Sequence, residues 1–252
     1  MSSSTGNINK KTSSSPKALP QFEDSDFYLN LDDIILGTQI GQGAFSKVFI
    51  GKYMGELVAV KKQRRAPNDG LDTYLLRELS LLKHYEHPNL LSYIGASDVP
   101  GEGIGGANAI YIITELAEHG DLLGLLLDPT TFGWKIRVSI LLDASRALEF
   151  LHCKSLIHRD IKSPNMLLDK NFTCKIADFG MAREIGSNMT IVGTDAYMAP
   201  ELMFDEEYDT SADMFSFGIV IWETIYRKKA GQDNFALRVP KDRYKLDIDC
   251  LG

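Results

Sequence analysis

The segment HRDIKSPN, from His158 to Asn165, concentrates side chains that move protons and bind cations. Asp160 could accept a proton from a hydroxyl nucleophile. Lys162 could neutralise charge on a transferring phosphoryl group. Asn165 offers a neutral oxygen to a hard cation such as Mg²⁺. A polar surface turn would have the same composition, so the rest of the chain must decide between these interpretations.

The segment KIADFG places a second candidate metal ligand, Asp178, after an apolar strand pattern and before a glycine. A carboxylate displayed at the end of a strand is a natural ligand for Mg²⁺. A turn-forming aspartate is the alternative interpretation. KIADFG alone does not separate the two.

The loop IGQGAFSKV, residues 40–48, has the glycine spacing of a phosphate-binding loop. Gly41 and Gly43 would let the backbone approach a ligand phosphate without a Cβ in the way. Ser46 stands at the third position of the GxGxxG pattern. A strand pattern follows the loop, whereas a dinucleotide-binding loop would be followed by a helix. An ordinary hairpin turn is the remaining alternative.

Lys61 and Glu78 are predicted to form an ion pair between two elements. Lys61 ends the strand pattern ELVAVKK, and Glu78 lies at the edge of an apolar helical stripe made by leucines 71, 75, 79 and 82. A carboxylate at the edge of such a stripe needs a cationic partner, because burying an unpaired charge is costly. A solvated lysine and a solvated helix glutamate are the alternatives.

The order of the predicted elements indicates an α+β protein with two lobes and a cleft between them. Strand patterns dominate up to about Leu116, in IILGTQIGQGAFSKVFIGKY, ELVAVKK, SYIGASDV and AIYIITELA. Helical periodicity then prevails, and a long helix that ends near His152 has one apolar face. The segment SADMFSFGIVIWETIY is apolar on nearly all sides, which predicts a helix inside the core.

Composition argues against several classes of protein. The 252 residues carry a net charge of −7, which argues against a nucleic-acid-binding surface as the main function. The three cysteines form no CxxC pair, so we expect no disulfide framework and no zinc site, and a reducing compartment. The longest apolar run is too short to cross a bilayer. We therefore expect a cytoplasmic location without membrane insertion, with the nucleus as the alternative.

A fifth segment, VGTDAYMAPE at residues 192–201, completes a set that resembles the eukaryotic protein kinase family. The family's signature elements are a Gly-rich loop, VAIK, a helix glutamate, HRDxxxxN, DFG and APE, and this chain has all of them in the same order. The resemblance implies a bilobal kinase fold: a Ser-rich disordered tail at 1–25, a small β-rich N-lobe at 26–116 and a helical C-lobe at 117–252. The family continues past the buried helix with several more helices, so the resemblance implies a truncated C-lobe that lacks the arginine with which Glu201 normally pairs.

The resemblance implies that ATP and Mg²⁺, with Mn²⁺ as an alternative ion, are the cofactors. Lys61 would hold the α- and β-phosphates, and Thr114 would control access behind the adenine. The backbone of Glu115 and Ala117 would bind the base. The full set implied for the nucleotide is Ile40, Gly41, Gly43, Ser46, Val48, Ala59, Lys61, Glu78, Thr114, Glu115, Ala117, Leu167 and Asp178.

The resemblance also assigns the chemistry of phosphoryl transfer. Asp160 would orient and deprotonate the acceptor hydroxyl, and Asp178 and Asn165 would each bind a metal ion. Thr194 would contact Asp160 and Lys162. A column of His158, Phe179, Leu82 and Tyr93 resembles the family's internal hydrophobic spine, and Asp213, at the start of the buried helix, would anchor that column.

Lys162 and the GTDAYMAPE segment point to serine/threonine transfer, most like the tyrosine-kinase-like group. The expected partners are proteins with acceptor serines or threonines, and the expected role is in signalling. Two alternatives stay open: a pseudokinase that binds nucleotide as a scaffold, and a small-molecule kinase of the same fold. The presence of Lys61, Asp160 and Asp178 argues against the first, and the peptide-loop character of GTDAYMAPE argues against the second.

An upstream kinase would act on Thr190, or as second choice on Ser187, and Arg159 would bind the resulting phosphate. Phosphorylation adds about −1.5 to −2 charges, which would order the segment from Asp178 to Glu201. We predict that Thr190→Ala lowers protein kinase activity, measured as phosphate transfer to a protein substrate. A Thr190→Ala variant as active as the parent chain would contradict this regulation.

Overall fold

A five-stranded antiparallel sheet forms the first part of the chain. The computed structural model describes residues 29–43, 46–65, 71–99, 108–130, 132–184, 196–204 and 206–232. The strands are β1 (Ile34–Gln42), β2 (Ser46–Tyr53), β3 (Glu56–Arg65), β4 (Tyr93–Val99) and β5 (Asn108–Glu115). Their spatial order is β1-β2-β3-β5-β4, and helix α1 (Leu71–His84) connects β3 to β4.

The two faces of β3 behave as its alternating sequence predicts. Val58 and Val60 are 2% and 0% exposed and form a small core with residues of β1 and β5. On the opposite face, Ala59 and Lys61 line the cleft. Gly51 on β2 faces the two valines, and a Cβ there would lie 2.7 Å from a Val60 methyl group. The sheet thus packs on one side and presents its other side to a ligand.

The second part of the chain is mainly helical, which confirms the predicted α+β class. Its helices are α2 (Leu122–Leu127), α3 (Trp134–Cys153), α4 (Pro200–Met203) and α5 (Ser211–Tyr226). Two short two-stranded antiparallel sheets lie among them, made by β6 (Leu156–Ile157) with β9 (Arg183–Glu184) and by β7 (Met166–Leu168) with β8 (Cys174–Ile176). Single 3-10 turns occupy Leu31–Asp33, Ser163–Asn165 and Phe179–Met181.

Helix α3 confirms the predicted long helix and most of its apolar face. Ile140, Ala144, Leu148 and Leu151 are at most 1% exposed and belong to the main core. Ile136, predicted on the same face, is only partly buried because it lies in the first turn of the helix. Helix α3 contacts β6, which leads into the HRDIKSPN segment, and β8, which pairs with β7, the strand that follows this segment.

Helix α5 is less enclosed than its sequence predicts. One side is fully buried and includes Asp213, Val220 and Glu223. Against the described residues, however, Met214 is 50% exposed and Ile225 is 43% exposed. The expectation that α5 is surrounded by core was therefore wrong for this part of the chain. An apolar composition shows what a helix can bury, but the partners on each side decide what it does bury.

The loop before β4 connects the sheet to the helical part. The amide of Leu91 donates to the carbonyl of Ile176 at 2.9 Å, and the amide of Ile176 donates to the carbonyl of Asn89 at 2.9 Å. The Asn89 side chain also donates to the Cys174 carbonyl at 3.0 Å. These bonds attach the β4 side of the sheet to β8, the strand that leads into Asp178.

Among the described helices, none combines the length and the apolar character needed to cross a bilayer. The predicted tail at residues 1–25 and the end of the chain after Gln232 lie outside the described residues. The phosphorylation sites predicted at Thr190 and Ser187 lie outside them as well.

Candidate active site

The HRDIKSPN segment is held by one buried carboxylate, that of Asp213 at the start of α5. Asp213 is 0% exposed and accepts the backbone amides of His158 and Arg159, each at 2.8 Å. Its Oδ2 also accepts a bond from the His152 ring at 2.9 Å. The Arg159 backbone has φ +67°, a conformation that such paired bonds can maintain. These bonds attach Asp213 to His158, a member of the column that Asp213 was predicted to anchor.

Asp160 is oriented by two side chains from its own segment. Lys162 Nζ lies 2.7 Å from Asp160 Oδ2, and Asn165 Nδ2 donates to the same oxygen at 2.9 Å. Asn165 Nδ2 also donates to the Asp160 carbonyl at 2.8 Å. Asp160 is 9% exposed, so its carboxylate is restrained but still reaches the surface. Three of the four residues predicted as catalytic are thus in mutual contact, and the fourth, Thr194, lies outside the described residues.

Asn165 and Asp178 lie side by side at one end of the cleft. The amide of Ala177, one residue before Asp178, donates to the Asn165 carbonyl at 2.9 Å. The Asn165 side-chain nitrogen is used by Asp160, so its oxygen is the atom presented to a cation. Asp178 is exposed and has φ +66°, a strained conformation for a non-glycine residue and one that is common at functional sites.

This donor set suits Mg²⁺ better than a zinc-type metal. One carboxylate and one amide oxygen are hard ligands, and Mg²⁺ completes its shell with water and substrate phosphates. Within the part of the chain that the structure describes, no three His, Cys, Asp or Glu residues are grouped to hold a metal by themselves. The two residues therefore fit an ion that arrives with a phosphorylated ligand.

Lys61 and Glu78 form the predicted ion pair, with 2.8 Å between Nζ and Oε1. Glu78 is 6% exposed, so it would be a costly buried charge without this partner. Burial tends to lower the pKa of Lys61, but the Glu78 and Asp178 carboxylates outweigh it and raise the pKa above its ordinary value. The ammonium therefore remains charged at neutral pH and stands between the helix and Asp178.

A cleft of about 300 Å³ brings most of the predicted nucleotide residues together. Its predicted lining residues are Ile40, Gly41, Val48, Ala59, Lys61, Glu78, Thr114, Glu115, Ala117, Asn165, Leu167 and Asp178. Ile40, Val48, Ala59 and Leu167 give part of this lining an aliphatic character, and Lys61, Glu78 and Asp178 bring their charges together. A ligand with a flat apolar group and a polyanionic group suits such a mixed lining.

Gly43 and Ser46 are not among the residues that line the cleft. The Gly43 amide donates to the Ser46 carbonyl at 2.8 Å, which closes the turn between β1 and β2. A Cβ on Gly43 would lie 2.9 Å from Ser46 Oγ, so the turn itself restricts this position. The hairpin that the sequence left as an alternative is therefore present, and it places Gly41 over the cleft.

The end of β5 adds a contact that sequence reasoning missed. The Glu115 carboxylate accepts the Ser92 amide at 2.8 Å and lies 3.1 Å from Lys175 Nζ. The Glu115 amide donates to the Ser92 carbonyl at 3.0 Å. The Thr114 hydroxyl donates to the Glu115 carbonyl at 3.2 Å. The Glu115 amide is thus occupied, whereas its carbonyl, which has two lone pairs, can accept a further bond from a ligand base.

Further lining residues were not predicted as site residues. They are Leu82, Leu91, Ile112, Leu116, Gly120, Asp121, Pro164 and Ala177. Leu82 was recognised only as part of the helical stripe and of the column. A buried aliphatic residue gives no sequence signal that separates a cleft wall from a core position.

Two members of the predicted column, His158 and Phe179, are in contact as expected. The His158 and Phe179 rings meet edge to face with centroids 5.1 Å apart, and both side chains are buried. His158 Nε2 donates to the Ala177 carbonyl at 3.1 Å, and its Nδ1 accepts the Asp160 amide at 3.3 Å. Phe179 and Leu82 belong to one core cluster, against which Tyr93 packs. The position of Asp160 is thus coupled to that of the turn after Asp178.

Arg159 contacts two described segments. Its Nε donates to the Met181 carbonyl at 2.7 Å, and its Nη1 donates to the Tyr208 hydroxyl at 2.8 Å. The predicted phosphate ligand of Arg159 lies outside the described residues. Tyr208 was not identified from the sequence, because a tyrosine in an acidic loop carries no pattern that indicates a buried arginine partner.

Comparisons with known proteins agree with this site. The model of the family described as "Protein kinase domain" matches residues 34–244. A "Probable serine/threonine-protein kinase kinX" of Dictyostelium discoideum is 40% identical over 221 residues, which are 84% of this chain and 20% of that protein. A "RasGEF domain-containing serine/threonine-protein kinase X" from the same organism is 40% identical over 84% of this chain and 22% of its own length.

Another probable serine/threonine-protein kinase of Dictyostelium discoideum is 36% identical, over 90% of this chain and 54% of its own length. The chain thus spans between a fifth and about half of the length of these relatives. The family match covers the sheet, the cleft and all the segments that carry the site. The chain belongs to the protein kinase domain family.

Proposed function

We propose that the chain transfers the γ-phosphate of ATP, bound with Mg²⁺, to serine and threonine hydroxyls of protein substrates. The observation that carries the proposal is the Asp160 carboxylate, which Lys162 and Asn165 hold at 2.7 and 2.9 Å beside the Asn165–Asp178 pair. A candidate base, a lysine ammonium and two candidate metal ligands therefore lie in one small region, which supports the proposal. Phosphoryl transfer needs mainly such positioning and charge neutralisation.

The nucleotide would lie with its adenine between the aliphatic walls of the cleft and its phosphates towards Lys61. Val48 and Ala59 would cover the base from the sheet side, and Leu167 from the helical side. The Glu115 carbonyl and the Ala117 backbone would bind its edge. Glu78 would keep the Lys61 ammonium directed at the α- and β-phosphates.

Asp178 and the side-chain oxygen of Asn165 would hold the divalent ion, for which Mg²⁺ or Mn²⁺ has the required hardness. When bound, that ion neutralises charge on the phosphate oxygens. The position of the ion would be set by the protein, because the Asn165 side chain is fixed by its two hydrogen bonds to Asp160.

Asp160 would accept the proton of the acceptor hydroxyl as the hydroxyl oxygen bonds to the γ-phosphorus. The bond between that phosphorus and the bridging oxygen breaks, and ADP leaves with the bond's electron pair. Lys162, whose ammonium group donates to Asp160 Oδ2, would stabilise the negative charge on the transferred group. Serine/threonine transfer is supported by Lys162 and by the similarity to relatives named as serine/threonine-protein kinases. A cytoplasmic location and activation at Thr190 belong to the same proposal.

We predict that Asp160→Asn removes transfer while nucleotide binding persists. The asparagine keeps the size of the side chain but accepts no proton at neutral pH, so kcat should fall at least about 100-fold. The measurement is transfer of labelled γ-phosphate to a generic serine/threonine protein substrate, with a tyrosine peptide and a small alcohol as alternative acceptors. Intact ATP binding without transfer by the parent chain would favour a scaffold, and transfer only to the small alcohol would favour a small-molecule kinase.

We also predict that Lys61→Met and Lys62→Met differ, although the two lysines are adjacent on β3. Lys61 pairs with Glu78 in the cleft, whereas Lys62 lies over the Tyr111 ring, 5.0 Å from its centroid. Loss of a charge that contacts the transferring phosphates should lower kcat/KM for ATP by about 100-fold. The control Lys62→Met should stay within about twofold of the parent. Similar losses in both variants would contradict the assignment of Lys61.

A further inference from the structure

The turn between α1 and β4 contains a histidine, His87, whose ring acts as a hydrogen-bond acceptor. Its Nδ1 accepts the backbone amide of Asn89, two residues further along the chain, at 3.1 Å. The Leu90 amide donates to the His87 carbonyl at 3.0 Å, which closes the same turn. A ring nitrogen that accepts a bond carries no proton, so the ring in this arrangement is neutral, with its hydrogen on Nε2.

This turn holds the sheet against β8, the strand that leads into Asp178. Asn89 is 5% exposed, its side chain donates to the Cys174 carbonyl at 3.0 Å, and its carbonyl accepts the Ile176 amide at 2.9 Å. A backbone amide that loses its acceptor at such a buried position destabilises the turn. The attachment of β8 through Asn89 therefore depends on an unprotonated Nδ1 of His87.

Cations face His87 from the two elements that pack against its turn. Arg146 on α3 and Lys175 on β8 both disfavour a positive charge on the ring. Asp143 lies 3.4 Å from the Arg146 guanidinium, and Glu115 lies 3.1 Å from the Lys175 ammonium. The nearby carboxylates of α3 and β5 are thus engaged by these two cations.

The His87 ring also stacks on the Phe150 ring of α3, with centroids 4.9 Å apart and an angle of 27° between the planes. The Lys154 ammonium lies over the same Phe150 ring, 5.7 Å from its centroid, and the Tyr85 ring meets it edge to face at 6.4 Å. Within the turn, the neighbouring Glu86 is exposed. An aromatic face and a further cation therefore add to the surroundings of the ring on the α3 side.

These surroundings favour the neutral form of His87. Burial lowers the pKa of His87 below its ordinary value of 6.5, and the charges of Arg146 and Lys175 lower it further. The folded chain therefore binds this proton more weakly than the unfolded chain does. The stability that the neutral ring contributes is complete above about pH 6.5 and is lost as the pH falls through the lower pKa of the folded state.

We propose that the turn from His87 to Leu90 is a proton-sensitive link between the sheet and the strand that leads into Asp178. With a neutral ring, the Asn89 amide is satisfied and β8 is held in place. In the imidazolium form both ring nitrogens carry hydrogen, so Nδ1 can no longer accept that amide. The turn then opens, and Asp178 loses its fixed position relative to Lys61 on the sheet. The consequence for ATP rests on the proposed kinase function, whereas the opening of the turn does not.

The test follows hydrogen exchange of the Asn89, Leu91 and Ile176 amides in the whole chain at about pH 7.5 and about pH 5.5. In the parent, acidification should lower their protection by up to about tenfold per pH unit, the limit for an opening that takes up one proton. Variants are compared with the parent at equal pH, so that the chemical exchange rates cancel.

Two substitutions separate the proton from the turn itself. His87→Asn keeps a side-chain acceptor for the amide two residues further on but takes up no proton, so protection should change by less than about twofold on acidification. His84→Asn is the matched control, because His84 is an exposed histidine at the end of α1, and it should behave as the parent does. Equal pH dependence in the parent and in His87→Asn would overturn the proposal.

A third variant, His87→Lys, introduces a permanent cation and removes the ring acceptor. Its three amides should exchange rapidly at both pH values, and slow exchange would contradict the proposed role of the charge. The parent also supplies a check that needs no substitution. The NMR signals of the His87 ring and of the Asn89 amide should titrate with one midpoint, below about pH 6.5. Two separate midpoints would overturn the link between them.

Calorimetry of ATP binding with Mg²⁺ distinguishes this proposal from the kinase function. Acidification should weaken binding about threefold more in the parent than in His87→Asn, because the binding-competent fraction falls only in the parent. A parent that binds no ATP would overturn the proposed function, and the exchange data would still decide whether the turn opens. Opening of the turn without a matching loss of ATP affinity would overturn the claim that the link reaches Asp178.

Discussion

The arrangement of this site depends on the buried carboxylate of Asp213. Three donors converge on it, two of them backbone amides of the segment that carries Asp160. Removing one partner of such a buried charged group typically costs about 3–5 kcal/mol, so the group is either fully satisfied or strongly destabilising. The bond to the Arg159 amide supports the strained backbone of that residue. Asp160, Lys162 and Asn165 follow this attachment directly in the chain, so their positions depend on it.

The other half of the site comes from the sheet and depends on the Lys61–Glu78 pair. A lysine on β3 and a glutamate on α1 meet here because the helix packs against the core through Leu79 and Leu82. Formation of the pair therefore depends on the position of α1. This helix also contacts the turn containing Phe179. His158 and Phe179 join this turn to the catalytic loop. The positions of Lys61 and Asp160 are thus linked by packing as well as by proximity.

Much of the fold follows from local patterns, because alternation in β3 and helical spacing in α3 report burial directly. The Lys61–Glu78 contact could also be predicted from the sequence, because a carboxylate beside an apolar stripe requires a cationic partner. The Glu115–Lys175 and Arg159–Tyr208 contacts could not, because each joins polar residues far apart in the chain with no periodic signal. The exposure of Met214 and Ile225 was mispredicted for a related reason: composition does not tell which faces of a helix find partners.

The most direct test of this account is the Mg²⁺ dependence of ATP binding, measured by calorimetry in the parent chain and in Asp178→Asn. If Asp178 and Asn165 hold the ion against the phosphates, Mg²⁺ should tighten ATP binding to the parent about tenfold, or about 1.4 kcal/mol. The same addition should change the affinity of Asp178→Asn by less than about twofold. Equal Mg²⁺ dependence in the two proteins, or ATP binding to neither, would contradict the assignment of this cleft as a Mg-ATP site.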